Sequence, residues 1–546
     1  MSPRKHSSRS VCRAFAAVFA ALTIVGCAAP NTATSPDGVS HPTVVPTQAQ
    51  QHWWWFDAHG PRSDARAALA VLNDARSHGL NPDDYRAGHL TQVFGQISSA
   101  RAESAMADAE RVAVLDAELT HAVQRYLSDL HNGRLSPGVL SHRFKAPPSQ
   151  AFDARLYLER AREAGRLGPA LQEASPQFPM YEALRGVMNA YRQMGEHPAW
   201  QEPLPEPKSR SIKPGQPYDG LAVLAARLIA LGDLNDWGQL APGPVLYEGE
   251  LVEGVRRFQT RHGLEADGII GPATLAQLDV TPAQRVEQMA LTLERLRWTP
   301  TLYGPRMIAI NVPEFVLRAY EQKGGAIELN LEMRVVVGRA LNTETPIFLE
   351  EMRFIEFSPY WNVPPSIARG ETLPRLLRDP AYFDRQGFEF VTRDGKVVRQ
   401  LSEEGIANVR SGQWRIRQRP GPLNALGDIK FIFPNDQNIY LHHTPSTALF
   451  ARARRDFSHG CIRIEYPVEL AQFVLRNQPE WTRERIEDAM AAGRSSTIRL
   501  NEPVPVLIAY STAVVKRDGK VYFFPDIYQQ DTRLQEALRK ARPIHS

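Results

Sequence analysis

The stretch "DFSHGCIRIEYP" (Asp456–Pro467) follows "NIYLHHT" (Asn438–Thr444), and both have the β-branched and aromatic composition that is typical of strands. Cys461 is the only cysteine beyond the first thirty residues. Adjacent residues of a strand project to opposite faces, so only one of His442 and His443 can face this thiol. A neighbouring imidazole that accepts the thiol proton makes a cysteine nucleophilic. The pattern therefore predicts a cysteine nucleophile in a mostly β domain.

The residues next to Cys461 favour acyl chemistry over metal binding. Gly460 has no side chain, so a substrate carbonyl can approach the backbone closely. The N–H groups of Gly460 and Cys461 are then candidate donors to an oxyanion. Zinc is the alternative, because three histidines and one cysteine lie within about twenty residues of one another. His442 and His443 are adjacent, which is a poor spacing for joint ligation from a strand, so we predict no metal site.

Length and charge limit the functional classes. A chain of 546 residues with 43% hydrophobic residues is expected to form about two to four domains. The formal charge is +4, but the first 26 residues carry four basic residues and no acidic one. The rest of the chain is therefore close to neutral, which gives no support for nucleic-acid binding.

The chain begins like an exported protein. Residues 1–26 combine a basic start with a short apolar run, as in a signal peptide, and end in Ile24-Val25-Gly26 before Cys27. This end resembles the lipobox of bacterial lipoproteins, which implies lipidation of Cys27; an ordinary signal peptide is the alternative. Residues 27–49 are polar and predicted to be a disordered tether. The expected location is the periplasm, lipid-anchored to the outer membrane because residue 28 is not Asp.

Hydrophobic periodicity divides the remainder of the chain. Residues 50–205 are predicted to form a helical scaffold domain, with one helix face made by Val112, Leu115, Leu119, Ala122, Tyr126 and Leu130. Residues 218–280 are predicted to form three short helices. Strand patterns from 305 to 515 predict the catalytic domain, with an inserted lid at about 368–420, and residues 516–546 predict a strand and helix packed on it. The fold class is multidomain α+β.

Two segments resemble known families. "VRRFQTRHGLEADGIIGPATLAQL" (Val255–Leu278) is similar to the small peptidoglycan-binding module of cell-wall enzymes. His442, fifteen intervening residues and then Ser458-His459-Gly460-Cys461-Ile462-Arg463 resemble the motif of the L,D-transpeptidase family, with its YkuD-type catalytic domain. The order of helical region, wall-binding module and catalytic domain resembles the large, multidomain members of that family.

The resemblance implies an activity and roles for individual residues. The family forms 3→3 cross-links between peptidoglycan tetrapeptide stems, donor and acceptor, through a cysteine thioester, needs no cofactor and is acylated by carbapenems. An L,D-carboxypeptidase, with water as acceptor, and a non-catalytic wall-binding lipoprotein are the alternatives. A histidine base is expected to titrate near neutral pH. The implied roles are nucleophile for Cys461, general base for His442, loop and pocket support for Ser458, His459 and Gly460, and substrate binding for Arg463, Tyr440 and Trp361.

Overall fold

A computed structural model of the chain describes residues 53–57, 60–99, 105–136, 138, 152–176, 179–236, 246–299, 304–340 and 343–541. The predicted signal peptide (1–26), the predicted tether (27–49) and Cys27 lie outside the described residues. Within the part of the chain that is described, no helix is both long and apolar enough to cross a membrane. From Trp53 onward the regions pack together as one unit.

The N-terminal region is helical, as the sequence predicts. The predicted apolar face lies on one helix, Ala105–Asn132, and Leu115, Leu119, Tyr126 and Leu130 are buried there against the neighbouring helices. Two 3₁₀ turns, Asp74–His78 and Pro82–Tyr85, separate the first two helices. The elements are β1 (Phe56–Asp57), β2 (Gly60–Pro61), α1 (Ser63–Asn73), α2 (Ala87–Ser99), α3 (Ala105–Asn132), α4 (Ala154–Glu163), α5 (Leu167–Glu173) and α6 (Pro179–Met194).

A small helical module with its own core follows. After a 3₁₀ turn at Pro198–Trp200 come α7 (Leu221–Ala230), α8 (Glu250–Arg261) and α9 (Pro272–Leu278). The Gln259 side chain accepts the Gly268 N–H at 2.8 Å and fixes the turn before α9. Pro272 begins α9, where its missing N–H costs no hydrogen bond. The long helix α10 (Pro282–Trp298) leads from the module to the β region.

The β region is a closed barrel. Its strands and those of its insertion and C-terminus are β3 (Arg306–Asn311), β4 (Val316–Lys323), β5 (Ala326–Gly338), β6 (Phe348–Phe357), β7 (Trp361–Asn362), β8 (Phe388–Val391), β9 (Val397–Val398), β10 (Arg415–Gln418), β11 (Ile429–Ile432), β12 (Leu441–His442), β13 (Asp456–Ser458), β14 (Ile462–Ile464), β15 (Ser496–Ala509), β16 (Ala513–Val515) and β17 (Val521–Phe523). Among the described residues, nine strands pair in the order β13-β5-β14-β12-β11-β6-β15-β3-β4, and β4 also pairs with β5. That last pairing closes the sheet, and β13 is attached to β5 as an extra strand.

Alternation along the barrel strands separates the interior from the outer face. Inward-facing residues such as Ile355, Phe431, Leu441 and Ile462 are completely buried in one core. On each strand, the residues adjacent to the inward-facing ones face outward. The chemistry of the domain must therefore lie on the outside of the barrel, because the inside is filled with apolar side chains.

A subdomain, residues 361–418, is inserted after β6 where the sequence predicts a lid, and it is called the lid subdomain below. Its four strands pair in the order β7-β10-β8-β9 and pack with α11 (Pro365–Ile367), a π-helical turn (Ala368–Thr372), α12 (Leu373–Arg378), α13 (Tyr382–Arg385) and α14 (Glu403–Ser411) around a separate core. The inserted sheet begins at Trp361, before the predicted boundary of about 368. The short strands β7 and β10 pair with each other although some fifty residues of sequence separate them. Local sequence patterns do not reveal such a pairing.

The C-terminal segment joins all three regions. After α15 (Pro467–Val474) and α16 (Arg483–Ala491), the β16–β17 hairpin packs Val521 and Phe523 into the helical scaffold, and α17 (Gln530–Lys540) ends the described chain. Arg261 of the small module donates to the Val521 carbonyl at 2.8 Å. The prediction that residues 516–546 pack on the catalytic domain is therefore incomplete, because the apolar side chains of the hairpin complete the scaffold core instead.

Candidate active site

The parallel pairing of β12 with β14 brings the two halves of the sequence motif together. Leu441 pairs with Ile462 and His442 pairs with Arg463, and the Ile462 N–H donates to the Tyr440 carbonyl at 3.1 Å. Leu441 and Ile462 point into the barrel core. Tyr440, His442 and Arg463 therefore share the outer face with the residue just before β14, which is Cys461.

A tight turn holds Cys461 at the start of β14. The Ser458 hydroxyl donates to the Cys461 carbonyl at 2.6 Å and accepts the Gly460 N–H at 3.2 Å. Thr345 donates to the Gly460 carbonyl at 2.7 Å. These contacts correct the expectation for Gly460: its N–H is already used by Ser458, so the turn leaves the Cys461 N–H as the candidate oxyanion donor.

Gly460 is needed for conformation and for space. Its φ is 111°, a region in which side chains other than glycine are strained, and an added Cβ would lie 3.1 Å from Cδ1 of Ile439. The positive φ and the tight contact with Ile439 therefore favour glycine at residue 460.

His442 is held as a neutral imidazole. It is buried, and its Nδ1 donates to the His443 carbonyl at 2.5 Å, so Nδ1 carries a proton because a carbonyl can only accept. The Leu426 backbone is a second hydrogen-bond partner of the ring. Burial and then the charge of Arg463 lower the pKa of His442 to about 3. The expected titration near neutral pH is therefore wrong for His442 in this state: its ring is neutral at pH 7.

The thiol of Cys461 is held in its protonated form. Sγ donates to the Asn438 carbonyl at 3.5 Å, and burial raises the pKa of the thiol. Contacts with Tyr440 and the charges of Lys430 and Arg463 act on that pKa in the opposite direction. A neutral thiol and a neutral imidazole on one face of the barrel are suited to general-base catalysis rather than to attack by a preformed ion pair.

The second histidine of the pair lies elsewhere. His443 Nδ1 is 3.2 Å from Asp428 Oδ2, and its ring lies against Gly427, in the loop before β11. Alternation along the strand thus separates the two adjacent histidines, and only His442 shares a face with Cys461.

The third histidine contacts the lid. His459 Nε2 is 2.6 Å from Glu371 Oε1, in the π-helical turn of the lid subdomain. Trp361, expected to line the donor site, lies in β7 of the lid sheet and packs against the lid core. Both residues are thus connected to the lid, although only His459 belongs to the nucleophile turn.

Arg463 and Tyr440 lie on the same face of the barrel as Cys461 and His442. Arg463 is half-buried, and its Nε has no hydrogen-bond partner among the described residues. The Tyr440 ring is 5.8 Å from the His442 ring, and burial followed by proximity to Cys461 raises the pKa of Tyr440. A half-buried guanidinium group on the face of Cys461 is suited to a substrate carboxylate or carbonyl.

Sequence reasoning missed three charged residues near this face. Lys430 and Glu356 face outward on β11 and β6, and Glu371 binds His459 from the lid. Alternation in "KFIFPN" puts Lys430 and Phe431 on opposite faces of the strand, and this signal could have identified Lys430 as an outward residue. The contact of Glu371 with His459 depends on tertiary structure alone. Among the described residues, no group of three or more histidine, cysteine, aspartate or glutamate side chains is arranged to hold a metal ion.

Three parts of the chain match known protein families. Residues 305–505 match the L,D-transpeptidase catalytic domain, residues 223–278 match the "Putative peptidoglycan binding domain", and residues 47–188 match the "Scaffold domain". The chain thus carries an L,D-transpeptidase catalytic domain and a peptidoglycan-binding domain, and the predicted family and fold class are confirmed.

Individual proteins give more limited comparisons. A Haemophilus influenzae protein named "Putative L,D-transpeptidase" is 30% identical over 251 residues, which cover 46% of this chain and 49% of that protein. The chain therefore matches about half the length of this relative.

Two solved structures also align with parts of the chain. The structure of Bdellovibrio bacteriovorus Bd1075 covers 44% of this chain and 56% of its own at 14% identity, with a TM-score of 0.17. A fused zinc-dependent amidase/peptidase/peptidoglycan-binding protein of Clostridium acetobutylicum covers 55% and 100% at 13% identity, also with a TM-score of 0.17. Scores this low carry no argument about fold or function.

The geometry predicts that the two adjacent histidines behave differently. His442→Gln is expected to slow acylation of Cys461 by roughly 10²–10⁴-fold, the usual contribution of a positioned base. His443→Gln, which changes the same side chain one residue away, is the matched control and is expected to change the rate little. Acylation is measured by intact-protein mass spectrometry in rapid-quench samples. If the His443 variant is acylated slowly and the His442 variant at the normal rate, the register of strand β12 is shifted by one residue.

Proposed function

Residues 305–505 being an L,D-transpeptidase catalytic domain, we propose that this protein forms 3→3 cross-links between peptidoglycan stem peptides through a thioester on Cys461. The observation that supports this most is that the pairing of β12 with β14 puts a neutral imidazole and a thiol on one face of the barrel. A peptidoglycan-binding domain in the same chain agrees with a wall substrate.

In the proposed acylation step, Sγ of Cys461 attacks the carbonyl of the third residue of a donor tetrapeptide stem. Nε2 of His442 takes the thiol proton, and the Cys461 N–H stabilises the oxyanion. The amide C–N bond then breaks, and the same proton passes from His442 to the departing amine, so that D-alanine leaves neutral at nitrogen. Arg463 is the proposed contact for a polar group of the stem, because its half-buried guanidinium group shares the face of Cys461.

In the second step, the side-chain amine of an acceptor stem attacks the thioester carbonyl. His442 removes a proton from the amine as the new amide bond forms, and the proton returns to the leaving sulfur, which regenerates the thiol. Water in place of the amine gives L,D-carboxypeptidase activity. The strained amide of a carbapenem is attacked by the same Sγ, so carbapenems are expected to acylate Cys461.

We also propose that the protein works in the periplasm, with its N-terminus lipidated at Cys27 and anchored in the outer membrane. The support is the sequence of residues 1–28 together with the wall-directed domains. Several acyl chains anchor a protein stably, whereas one does so only marginally.

Replacing Cys27 tests the anchor. Cys27→Ala is expected to abolish incorporation of labelled palmitate and to move the protein out of the membrane fraction, because the acylated residue is gone. Cys12→Ala is the matched control, since residue 12 leaves with the signal peptide. Membrane association of the Cys27 variant equal to that of the Cys12 variant would rule the lipid anchor out.

Incubation with purified disaccharide-tetrapeptide tests the reaction. Wild-type protein is expected to give an acyl adduct on Cys461 and a cross-linked dimer, both seen by mass spectrometry, with release of D-alanine. Cys461→Ala should give neither, because no other thiol lies within the catalytic domain.

The products separate the alternatives. Released D-alanine with a tripeptide product and no dimer would indicate the carboxypeptidase. Dimer formation by the Cys461→Ala variant would contradict the proposal. A folded wild-type protein that gives neither adduct nor product, with carbapenem or with stem peptide, would leave the non-catalytic wall-binding protein.

A further inference from the structure

Lys430 occupies the centre of the outer face that carries the reacting pair. It lies on β11, where the strand register pairs it with His442 on one side and with Glu356 of β6 on the other. The outward row across four neighbouring strands is therefore Glu356, Lys430, His442 and Arg463, with Cys461 two residues before Arg463. A lysine in that row is a positive charge within the site rather than on the rim.

Contacts hold the ammonium group in one place. Lys430 Nζ lies 4.0 Å from the centre of the Tyr440 ring, a cation–π contact, and 3.8 Å from Glu356 Oε2. Both charged side chains are only 19% exposed. Tyr440 is close to Cys461, because the Ile462 N–H donates to the Tyr440 carbonyl. An ionised Cys461 acts on the pKa of both Tyr440 and Lys430, so the two side chains lie within electrostatic reach of the thiol.

The row carries more positive than negative charge as long as the Cys461 thiol is neutral. Burial lowers the pKa of Lys430, and the negative charges of Glu356 and of an ionised Cys461 act against that shift. Glu356 is shared, because its Oε1 accepts from the Ser495 hydroxyl at 3.1 Å. His442 is neutral, and Arg463 adds a second positive charge. A half-buried ammonium group whose carboxylate partner is shared is more stable when negative charge appears on the sulfur.

We propose that Lys430 is a positioning residue that stabilises the developing thiolate of Cys461 through space, and that Glu356 limits this effect by drawing the ammonium group toward β6. The role in cross-linking rests on the function proposed above, whereas the effect on the thiol does not. Lys430 transfers no proton in this scheme: His442 takes the proton, and the lysine lowers the energy of the charge left on sulfur.

The two side chains are expected to shift the thiol in opposite directions. Lys430→Met keeps the aliphatic stem and removes the charge, so the pH midpoint of Cys461 alkylation by iodoacetamide should rise by about one unit, which is about tenfold less thiolate at neutral pH. Glu356→Gln keeps the shape and frees the ammonium group, so the same midpoint should fall. Alkylation of Cys461 is followed in the full chain by peptide mass spectrometry, which needs no substrate.

Matched controls separate charge from structure. Lys430→Arg keeps the charge and should stay close to wild type, and Lys323→Met removes an exposed lysine at the far end of the β4–β5 hairpin and should leave the midpoint unchanged. Thermal unfolding checks that each variant is folded; if Lys430→Met does not fold, the direction of the Glu356→Gln shift decides. A Lys430→Met midpoint equal to wild type, or shifts of the same sign in both variants, would overturn the inference.

The outcome is independent of the cross-linking assay. Opposite shifts in a protein that forms no dimer would support the electrostatic role and reject the proposed function. Normal dimer formation without any shift of the alkylation midpoint would support the proposed function and reject the electrostatic role of Lys430. A Lys430→Met variant with an unchanged midpoint and only a weaker KM for the stem peptide would also overturn the inference, because the lysine would then bind substrate instead.

Discussion

The pairing of β12 with β14 is the constraint on which the candidate site depends. Both strands are short, and alternation along β12 together with its parallel register against β14 puts His442, and not His443, on the face of Cys461. A slip of one residue would turn every side chain of β12 to the other face and would bury His442 in the barrel core in place of Leu441. The apolar interior prevents this slip, because Leu441 and Ile462 are completely buried there. The core of the barrel thus determines which residues meet on its surface.

Burial then sets the electrostatic state of the pair. The same environment raises the pKa of the Cys461 thiol and lowers that of the His442 imidazole, so both groups are neutral at pH 7. The site is poised for proton transfer only when a substrate carbonyl gives the sulfur something to attack. The positive charges of Lys430 and Arg463 oppose the effect of burial on the thiol without protonating the base. The thiol can then react with a bound acyl group although it is not ionised beforehand. A thiol that stays protonated is also less open to oxidation.

Sequence reasoning identifies whatever depends on local periodicity and on residue type. It finds the α3 face, the Pro272 start of α9, the barrel strands and the candidates Cys461 and His442, because helical and strand repeats are short-range. It fails where the cause is tertiary. The use of the Gly460 N–H by Ser458, the contact of His459 with Glu371 and the docking of Phe523 in the scaffold join residues that no repeat relates. Lys430 is intermediate, since alternation gives its face but not its partners.

The central proposal is that His442 is a neutral base with its proton on Nδ1, so that Nε2 takes the proton of the thiol. Nitrogen NMR of protein labelled at histidine, with the His442 signals assigned by comparison with the His442→Gln variant, measures both the tautomer and the pKa. The account predicts an Nδ1–H tautomer that persists unchanged between about pH 5 and about pH 8, since its pKa is about 3. An Nε2–H tautomer, or a titration of His442 near pH 6.5, its ordinary value, would contradict it.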